Sequence, residues 1–349
     1  MLKAKILHPR IIFSGIQPTG VPHLGNYAGA LRQWVQLQHD QPDTKLIYSI
    51  VDLHAITMPQ PPEQLKRRKR EALAALLAIG IDPERATLFY QSSVPAHSEL
   101  MWILSCTASV GYLSRMTQWK SKLDLGEKSS IDDKKAGSRL KLGLFSYPVL
   151  QAADILVHRA THVPVGHDQQ QHLEFARECV TNFNAAYGSH LVHPQTIIPP
   201  VHRVMSLTDP SSKMSKSHKS EKSRILITDS PEDIRSKIMS AKTDSIAGIN
   251  YDSANRPGIS NLLDILSIFD PEGRKSAELA DQYNNASPKE LKEIAVDAVV
   301  SGLDGIRDRY LSLLSKGDEH LDSIEAIGAE KARKSANDTM QIVRDAVGL

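Results

Sequence analysis

The sequence predicts a doubly wound parallel α/β sheet followed by an all-helical region. Two observations carry that expectation. Through the first half, short apolar runs alternate with helical periodicities. The runs are Ile11–Ile16, Lys45–Val51, Ala86–Gln91 and His162–Gly166, and helical patterns separate them at Tyr27–His39 and Pro62–Ile79. Strand–helix alternation at this spacing is the signature of βαβ units. Beyond about Asp229 the strand patterns stop. Leu291, Ile294, Ala295, Ala298, Val299, Leu303, Ile306, Tyr310 and Leu313 recur at three- and four-residue steps, the period of an amphipathic helix. Leu262–Phe269 and Lys331–Val347 read alike.

The elements follow in order. Ile11–Ile16 leads through Gly15, Pro18, Gly20 and Pro22 to His23-Leu24-Gly25-Asn26 and a helix. A strand, a glycine-rich turn and a helix N-terminus together form a ready phosphate site, because free backbone N–H groups and the helix dipole face the ligand. Neither GxxxxGK[ST] nor GxGxxG is present, so the turn is not a P-loop or a dinucleotide fingerprint. Lys45–Val51 ends in Asp52-Leu53-His54. The helix at Pro62–Ile79 carries a basic face from Lys66 to Arg70 and stops at Gly80. Ala86–Gln91 is followed by a helix opening near Pro95. Lys120–Lys141 is charged in both signs and reads as a surface loop. Pro148 suits the first turn of a helix filled by Val149–Val157. After His162–Gly166, His167-Asp168-Gln169 opens a helix reaching about Tyr187. Arg203–Leu207 is the last strand candidate. The expected organisation is an N-terminal extension over 1–10, a catalytic unit over 11–220 with a helical insertion near 95–145, and a helical unit over 221–349. The last helix is expected to pack back on the catalytic unit.

Composition bounds the function. The chain has 349 residues, 41% of them hydrophobic and 23% charged, with net charge +2. It holds no run near the roughly 18 apolar residues of a membrane span. Cys106 and Cys179 are far apart, with no CxxC spacing, so neither a disulfide framework nor a cysteine zinc site is expected. No His, Asp or Glu spacing suggests a dedicated metal site. The basic start MLKAKILHPR is compatible with what remains after a targeting segment is removed.

Lys213-Met214-Ser215-Lys216-Ser217 completes the chemistry. Alone, such a string is usually a solvated loop. Paired with His23 some 190 residues upstream, its two lysines can clamp nucleotide phosphates and offset charge on leaving pyrophosphate. HLGN and KMSKS together resemble the two signature motifs of class I aminoacyl-tRNA synthetases, with Asn26 where the second histidine of HIGH would stand. FSGIQPTG, IVDLHAIT, GIDPERATLFYQSSVPAH, SRMTQWK, YPVLQAADIL, VPVGHDQQQH and PGISNLL resemble the tryptophanyl-tRNA synthetase family of bacterial and mitochondrial type, in order and over nearly the whole chain.

The resemblance implies a Rossmann-like catalytic domain and residue roles. Asp154, in the apolar context Ala152–Leu156, becomes the acceptor for an indole N–H. A carboxylate there is costly to bury without a partner, and a site built on a polar partner rejects analogues that lack it. Phe13, Gly15, Val51, His54, Val163 and Val165 resemble the pocket walls, though core packing also explains the valines. Tyr147 and Gln169 are placed on the substrate amino group and Gln17 on its carboxylate side. Thr19, His23, Gly25 and Asn26 line ATP, Gly166 and Asp168 its ribose, and Lys122, Lys213, Met214, Ser215 and Lys216 its phosphates. Lys213, Lys216, Lys122 and Gln17 form the catalytic set. ATP enters as substrate with Mg²⁺. L-tryptophan, tRNA(Trp) and a second copy of the chain are the expected partners, with no membrane. The other histidines, His97, His158 and His172 among them, are expected to serve structure or meet solvent. A mitochondrial matrix location is expected, with the bacterial cytoplasm as the alternative. A tyrosyl enzyme of the same subclass, a small nucleotidyltransferase and a non-enzymatic RNA-binding relative remain open alternatives.

Overall fold

The structure is a computed structural model. It describes residues 9–349 apart from 124, 127, 128, 130, 132, 134–138, 165, 167–169, 198–202 and 217. Five parallel strands form one sheet: β1 (Ile11–Ile16), β2 (Lys45–Ile50), β3 (Ala86–Tyr90), β4 (His162–Pro164) and β5 (Gln195–Ile197). Their order is β3-β2-β1-β4-β5. The chain runs outward from β1 to β3, then crosses back to the other side of β1. The strand order reverses between β1 and β4, and doubly wound sheets bind ligands in the crevice beyond the carboxyl ends of the strands at such a point.

Side-chain alternation divides the core between the two faces of the sheet. Ile12, Leu46, Tyr48, Ile50 and Leu88 face one way. They pack with helices α2 (Arg32–Asp40) and α4 (Pro62–Ala78), and with the helical half of the chain. Phe13, Ile47, Phe89 and Val163 face the other way. They pack with α5 (Ala96–Ser105), α8 (Leu142–Leu156) and α9 (Gln170–Tyr187). Shorter helices in this half are α1 (Leu24–Asn26), α3 (Asp52–Ala55), α6 (Val110–Arg115) and α7 (Gln118–Lys122).

The helical half contains α10 (Pro231–Met239), α11 (Pro257–Phe269), α12 (Ser276–Gln282), α13 (Pro288–Gly302), α14 (Ile306–Ser315) and α15 (Asp318–Val347). The 30-residue α15 returns to the sheet, where it packs along β3 and against α5.

Several elements differ from the expectation. Arg203–Leu207 is not in the sheet; Met205 makes only an isolated antiparallel bridge to Lys213, and the fifth strand is Gln195–Ile197. The helix expected to open at Pro148 begins a turn and a half earlier, at Leu142, and carries Pro148 inside it. The apolar stripe from Leu291 to Leu313 belongs to two helices, broken where Gly305 adopts φ +69°. Tyr27–His39 does not form one regular helix either. A π-helical turn, Tyr27–Leu31, sits between α1 and α2. Such turns widen a helix locally and are frequent at functional sites.

Candidate active site

The turn after β1 is shaped by His23 and Asn26. His23 caps α1: its Nδ1 accepts the Asn26 N–H at 3.3 Å, and the Asn26 Oδ1 accepts the His23 N–H at 3.2 Å. This reciprocal pair is a capping box built from an unusual residue combination. Asn26 has the short side-chain acceptor that the geometry needs, which gives the HLGN variant a physical basis. Because Nδ1 accepts, the ring proton lies on Nε2. Burial, then Lys216, Lys213 and Arg224, lower the His23 pKa to about 4, so the ring is neutral near pH 7. Gly25 leaves room for that ring; a Cβ there would lie 3.0 Å from His23 Cε1.

The second signature loop lies against the first. Lys216 Nζ donates to the Gly20 carbonyl at 2.7 Å and to Thr19 Oγ1 at 3.1 Å. The Leu24 N–H donates to the Ile225 carbonyl at 2.8 Å, and His23 pairs with Leu226. Met214, expected among the ATP contacts, buries its side chain in the core and gives its N–H to the Val204 carbonyl. It anchors the loop while Lys213 faces the cavity.

A cavity of about 440 Å³ opens beyond the carboxyl ends of β1 and β4. Of the residues expected in the site, Phe13, Gly15, Gln17, Gly25, Asn26, Val51, His54, Tyr147, Asp154, Val163, Gly166 and Lys213 line it. Gly15 is required there, because a Cβ would come within 2.9 Å of Val51 Cγ1. Gln17, Thr19, His54 and Lys122 line an adjoining cavity of about 370 Å³, together with Arg68 from the basic face of α4. Val165, Asp168 and Gln169 lie outside the described residues.

Asp154 sits at the buried end, only 1% exposed. Its carboxylate accepts from Gln91 Nε2 at 2.6 Å, His97 Nδ1 at 2.7 Å and His54 Nε2 at 2.8 Å. Burial opposes its charge, but the hydrogen bonds from His54 and His97 outweigh that and hold the carboxyl well below the usual carboxylate range. The cavity is therefore apolar at Phe13, Val51 and Val163 and holds a fixed anion at Asp154. Tyr147 stands nearby, its hydroxyl donating to Gln118 Oε1 at 2.6 Å and lying 3.0 Å from His172 Nε2. Burial raises the Tyr147 pKa, so the phenol stays protonated. The arrangement has a buried acceptor in a cavity that Lys213 also lines, with Lys122 in the adjoining one.

The family model described as tRNA synthetases class I (W and Y) matches residues 5–304. The chain belongs to the class I tRNA synthetases. Relatives at 42–45% identity over nearly the whole chain include tryptophan–tRNA ligases. The mitochondrial enzyme of Schizosaccharomyces pombe is 44% identical over 98% of this chain and 96% of its own length. The Bacillus subtilis enzyme is 43% identical, covering 97% of each. Among solved structures, the tryptophanyl-tRNA synthetase of Mycoplasma pneumoniae superposes with TM-score 0.82 at 32% identity, over 98% of both chains. That of Campylobacter jejuni, solved with ADP and tryptophan, gives TM-score 0.77 at 34% identity, over 97% of this chain and all of that one.

Sequence reading missed part of this synthetase's site. His97 and His158, expected to be structural or solvated, are buried beside Asp154, and His172 is buried beside Tyr147. Gln91 carried one signal, its place at the carboxyl end of a strand. Arg68 was visible only as one member of a basic helix face.

Proposed function

We propose that the chain activates L-tryptophan with ATP to tryptophanyl-adenylate and transfers the tryptophanyl group to tRNA(Trp), releasing pyrophosphate in the first step and AMP in the second. The observation that carries this reading is Asp154, a buried carboxylate in a cavity walled by Phe13, Val51 and Val163 and also lined by Gly25, Asn26 and Lys213. The tryptophan carboxylate attacks the α-phosphorus of ATP in line, and the pyrophosphate leaves toward the lysines. No side-chain nucleophile is needed. The chain's contribution is position and charge: both substrates are held in reacting order, and fixed cations meet the charge that develops on the leaving group.

Asp154 takes the indole N–H, and Phe13, Gly15, Val51, His54, Val163 and Val165 form the slot. Tyr147 and Gln169 hold the ammonium and Gln17 lies on the carboxylate side. Tyr147 spends its own proton on Gln118, so its oxygen presents a lone pair to a donor. Thr19, His23, Gly25, Asn26, Gly166 and Asp168 line ATP. Neutral His23 offers its Nε2–H to phosphate. Lys122, Lys213, Ser215 and Lys216 hold the pyrophosphate, and Arg68 adds a further cation to that wall.

Among the described residues no group of three or more His, Cys, Asp or Glu gathers to hold a metal. A Mg²⁺ ion would arrive with the nucleotide rather than be held by a dedicated protein cage. Such an ion neutralises phosphate charge. The helical unit from residue 221 reads the tRNA, whose anticodon bases are unstacked and accessible.

The chain acts as a homodimer in this reading. Trp102 on α5, Val110 on α6 and Leu142 at the start of α8 are 72%, 61% and 78% exposed, on helices that pack together, and such large exposed apolar side chains suit a partner surface. No helix among the described residues is long and apolar enough to cross a membrane. We place the enzyme in the mitochondrial matrix, in keeping with its mitochondrial relatives; its relatives also include bacterial enzymes. Amino-acid-dependent ATP–pyrophosphate exchange, followed by charging of total tRNA, tests the activity. Exchange driven by tyrosine and not tryptophan would overturn it.

A further inference from the structure

Among the described residues, Asp154 is engaged at three of its four acceptor positions. A carboxylate oxygen has two lone-pair directions. Oδ1 accepts from both Gln91 Nε2, at 2.6 Å, and His97 Nδ1, at 2.7 Å, so it is full. Among the described residues Oδ2 accepts from His54 Nε2 alone, at 2.8 Å, which leaves one direction open.

The donors on Oδ1 are themselves fixed. Gln91 Oε1 accepts the Leu53 N–H at 3.1 Å, which forces the Gln91 amide to present Nε2 to Asp154. On the other side, His97 Nε2 lies 3.3 Å from His158 Nε2, and His158 Nδ1 lies 3.3 Å from Ser335 Oγ on α15. One proton arrangement satisfies every member when both rings are neutral. Ser335 donates to His158 Nδ1, His158 Nε2–H donates to His97 Nε2, and His97 Nδ1–H donates to Asp154. Desolvation holds His158 neutral, in keeping with this order. Gln91 and His97 have no exposed surface and His158 is 1% exposed. Phe13, a wall of the cavity, stacks on His158 at 5.9 Å.

We propose that Gln91 and His97 are positioning residues for indole recognition. They saturate Oδ1 and leave Oδ2 as the single open acceptor for the indole N–H, while His158 and Ser335 lock the His97 tautomer. The proposal rests on the reading of Asp154 as the indole acceptor. It adds that discrimination depends on residues that never touch tryptophan, one of them on the last helix. A carboxylate held only at Oδ2 could rotate and offer either oxygen, and the distance to the ring nitrogen would no longer be set.

The test is ATP–pyrophosphate exchange by the full-length enzyme with tryptophan and with 3-(benzothiophen-3-yl)alanine, in which sulfur replaces the N–H. The readout is the ratio of the two kcat/KM values, which a merely structural role would not move. His97→Phe should lower the preference for tryptophan at least about tenfold, with the KM for ATP little changed. His97→Asn, which keeps an N–H donor near the Nδ1 position, should recover most of it. An unchanged ratio in His97→Phe, with a collapsed ratio in Asp154→Ala, overturns the proposal and leaves Asp154 as the acceptor. An unchanged ratio in both variants overturns the reading of Asp154 itself. Should His97→Phe fail to fold, Ser335→Ala removes only a hydroxyl and carries the test. A drop of about threefold supports the chain, and no drop overturns it.

Discussion

Asn261 on α11 brackets the backbone of Met205. Its Oδ1 accepts the Met205 N–H at 2.8 Å and its Nδ2 donates to the Met205 carbonyl at 3.1 Å. Met205 in turn bridges to Lys213, the first residue of the signature loop. A side chain of the helical half thus fixes the base of the loop that carries Lys213 and Lys216. Asn261 is buried, so Asn261→Ala leaves a backbone N–H and a carbonyl without partners. It should cost about 2 kcal/mol of stability. Adenylate formation should slow at least about tenfold while tryptophan binding changes little, because none of the residues proposed for the amino-acid slot belongs to the loop. Urea denaturation and single-turnover exchange measure the two effects. Equal losses in rate and tryptophan affinity would show that the bracket supports the whole site.

Lys216 rests on Thr19 and Gly20, inside the turn that the nucleotide is expected to fill. Burial, then Arg68 and also Arg224, lower its ammonium pKa to about 8, against an opposing pull from Glu71. A triphosphate beside it favours the charged form, so the bound pKa lies higher. The sign follows: above about pH 8 the free enzyme lacks this proton and ATP binding takes one up. ATP affinity should therefore weaken as pH rises through 8, with proton uptake visible at pH 8.5 by calorimetry in buffers of differing ionisation enthalpy. Lys216→Ala should abolish the uptake and slow adenylate formation far more than it weakens tryptophan binding. Uptake that persists in the variant would assign the proton to another group.

His23 is held neutral, and that has a cost in acid. Its folded pKa of about 4 lies below the ordinary 6.5. Between these values the unfolded chain binds the extra proton and the folded chain does not, so stability falls as pH drops through that window. At pH 5 this one group accounts for a loss of about 2 kcal/mol relative to pH 7. His23→Ser keeps an N-cap acceptor and removes the titration. Comparing urea midpoints at pH 7 and pH 5, the variant should lose less stability than the parent. Equal losses would mean that the ring is free to protonate in the folded state.

The sequence revealed those parts of the site whose signal is local. Strand β1, the turn after it and the lysine loop each announce themselves within a dozen residues. Asp154 stands out because it interrupts an apolar run. What escaped depends on long-range contact. Gln91, His97 and His158 are separated by up to 67 residues, since His158 minus Gln91 is 67, and their hydrogen bonds exist only once β3, α5 and α8 meet. Strand β5 is three residues, Gln195-Thr196-Ile197, with too little alternation to compete with the more apolar Arg203–Leu207. The break between α13 and α14 is masked because the apolar spacing continues across it, although Gly302 and Gly305 flank the join. Asn26 looked like a defect in a motif, and its role is visible only as one half of a capping box.

The last helix offers a test of how the two halves hold each other. α15 packs so closely on β3 that a Cβ at Gly328 would stand 1.7 Å from the Leu88 carbonyl oxygen. Nothing there can yield cheaply, because the obstacle is strand backbone and not a flexible side-chain tip. Gly328→Ala must lift the helix off the strand, at a cost of about 3 kcal/mol or more. The lift should also be felt in the tryptophan slot. Ser335 lies two turns further along the same helix and ends the hydrogen-bonded chain to Asp154. The variant should therefore lose preference for tryptophan over its sulfur analogue as well as stability, and thermal unfolding with paired exchange assays measures both. A destabilised variant with full preference would mean that the helix supports the sheet without steering the site.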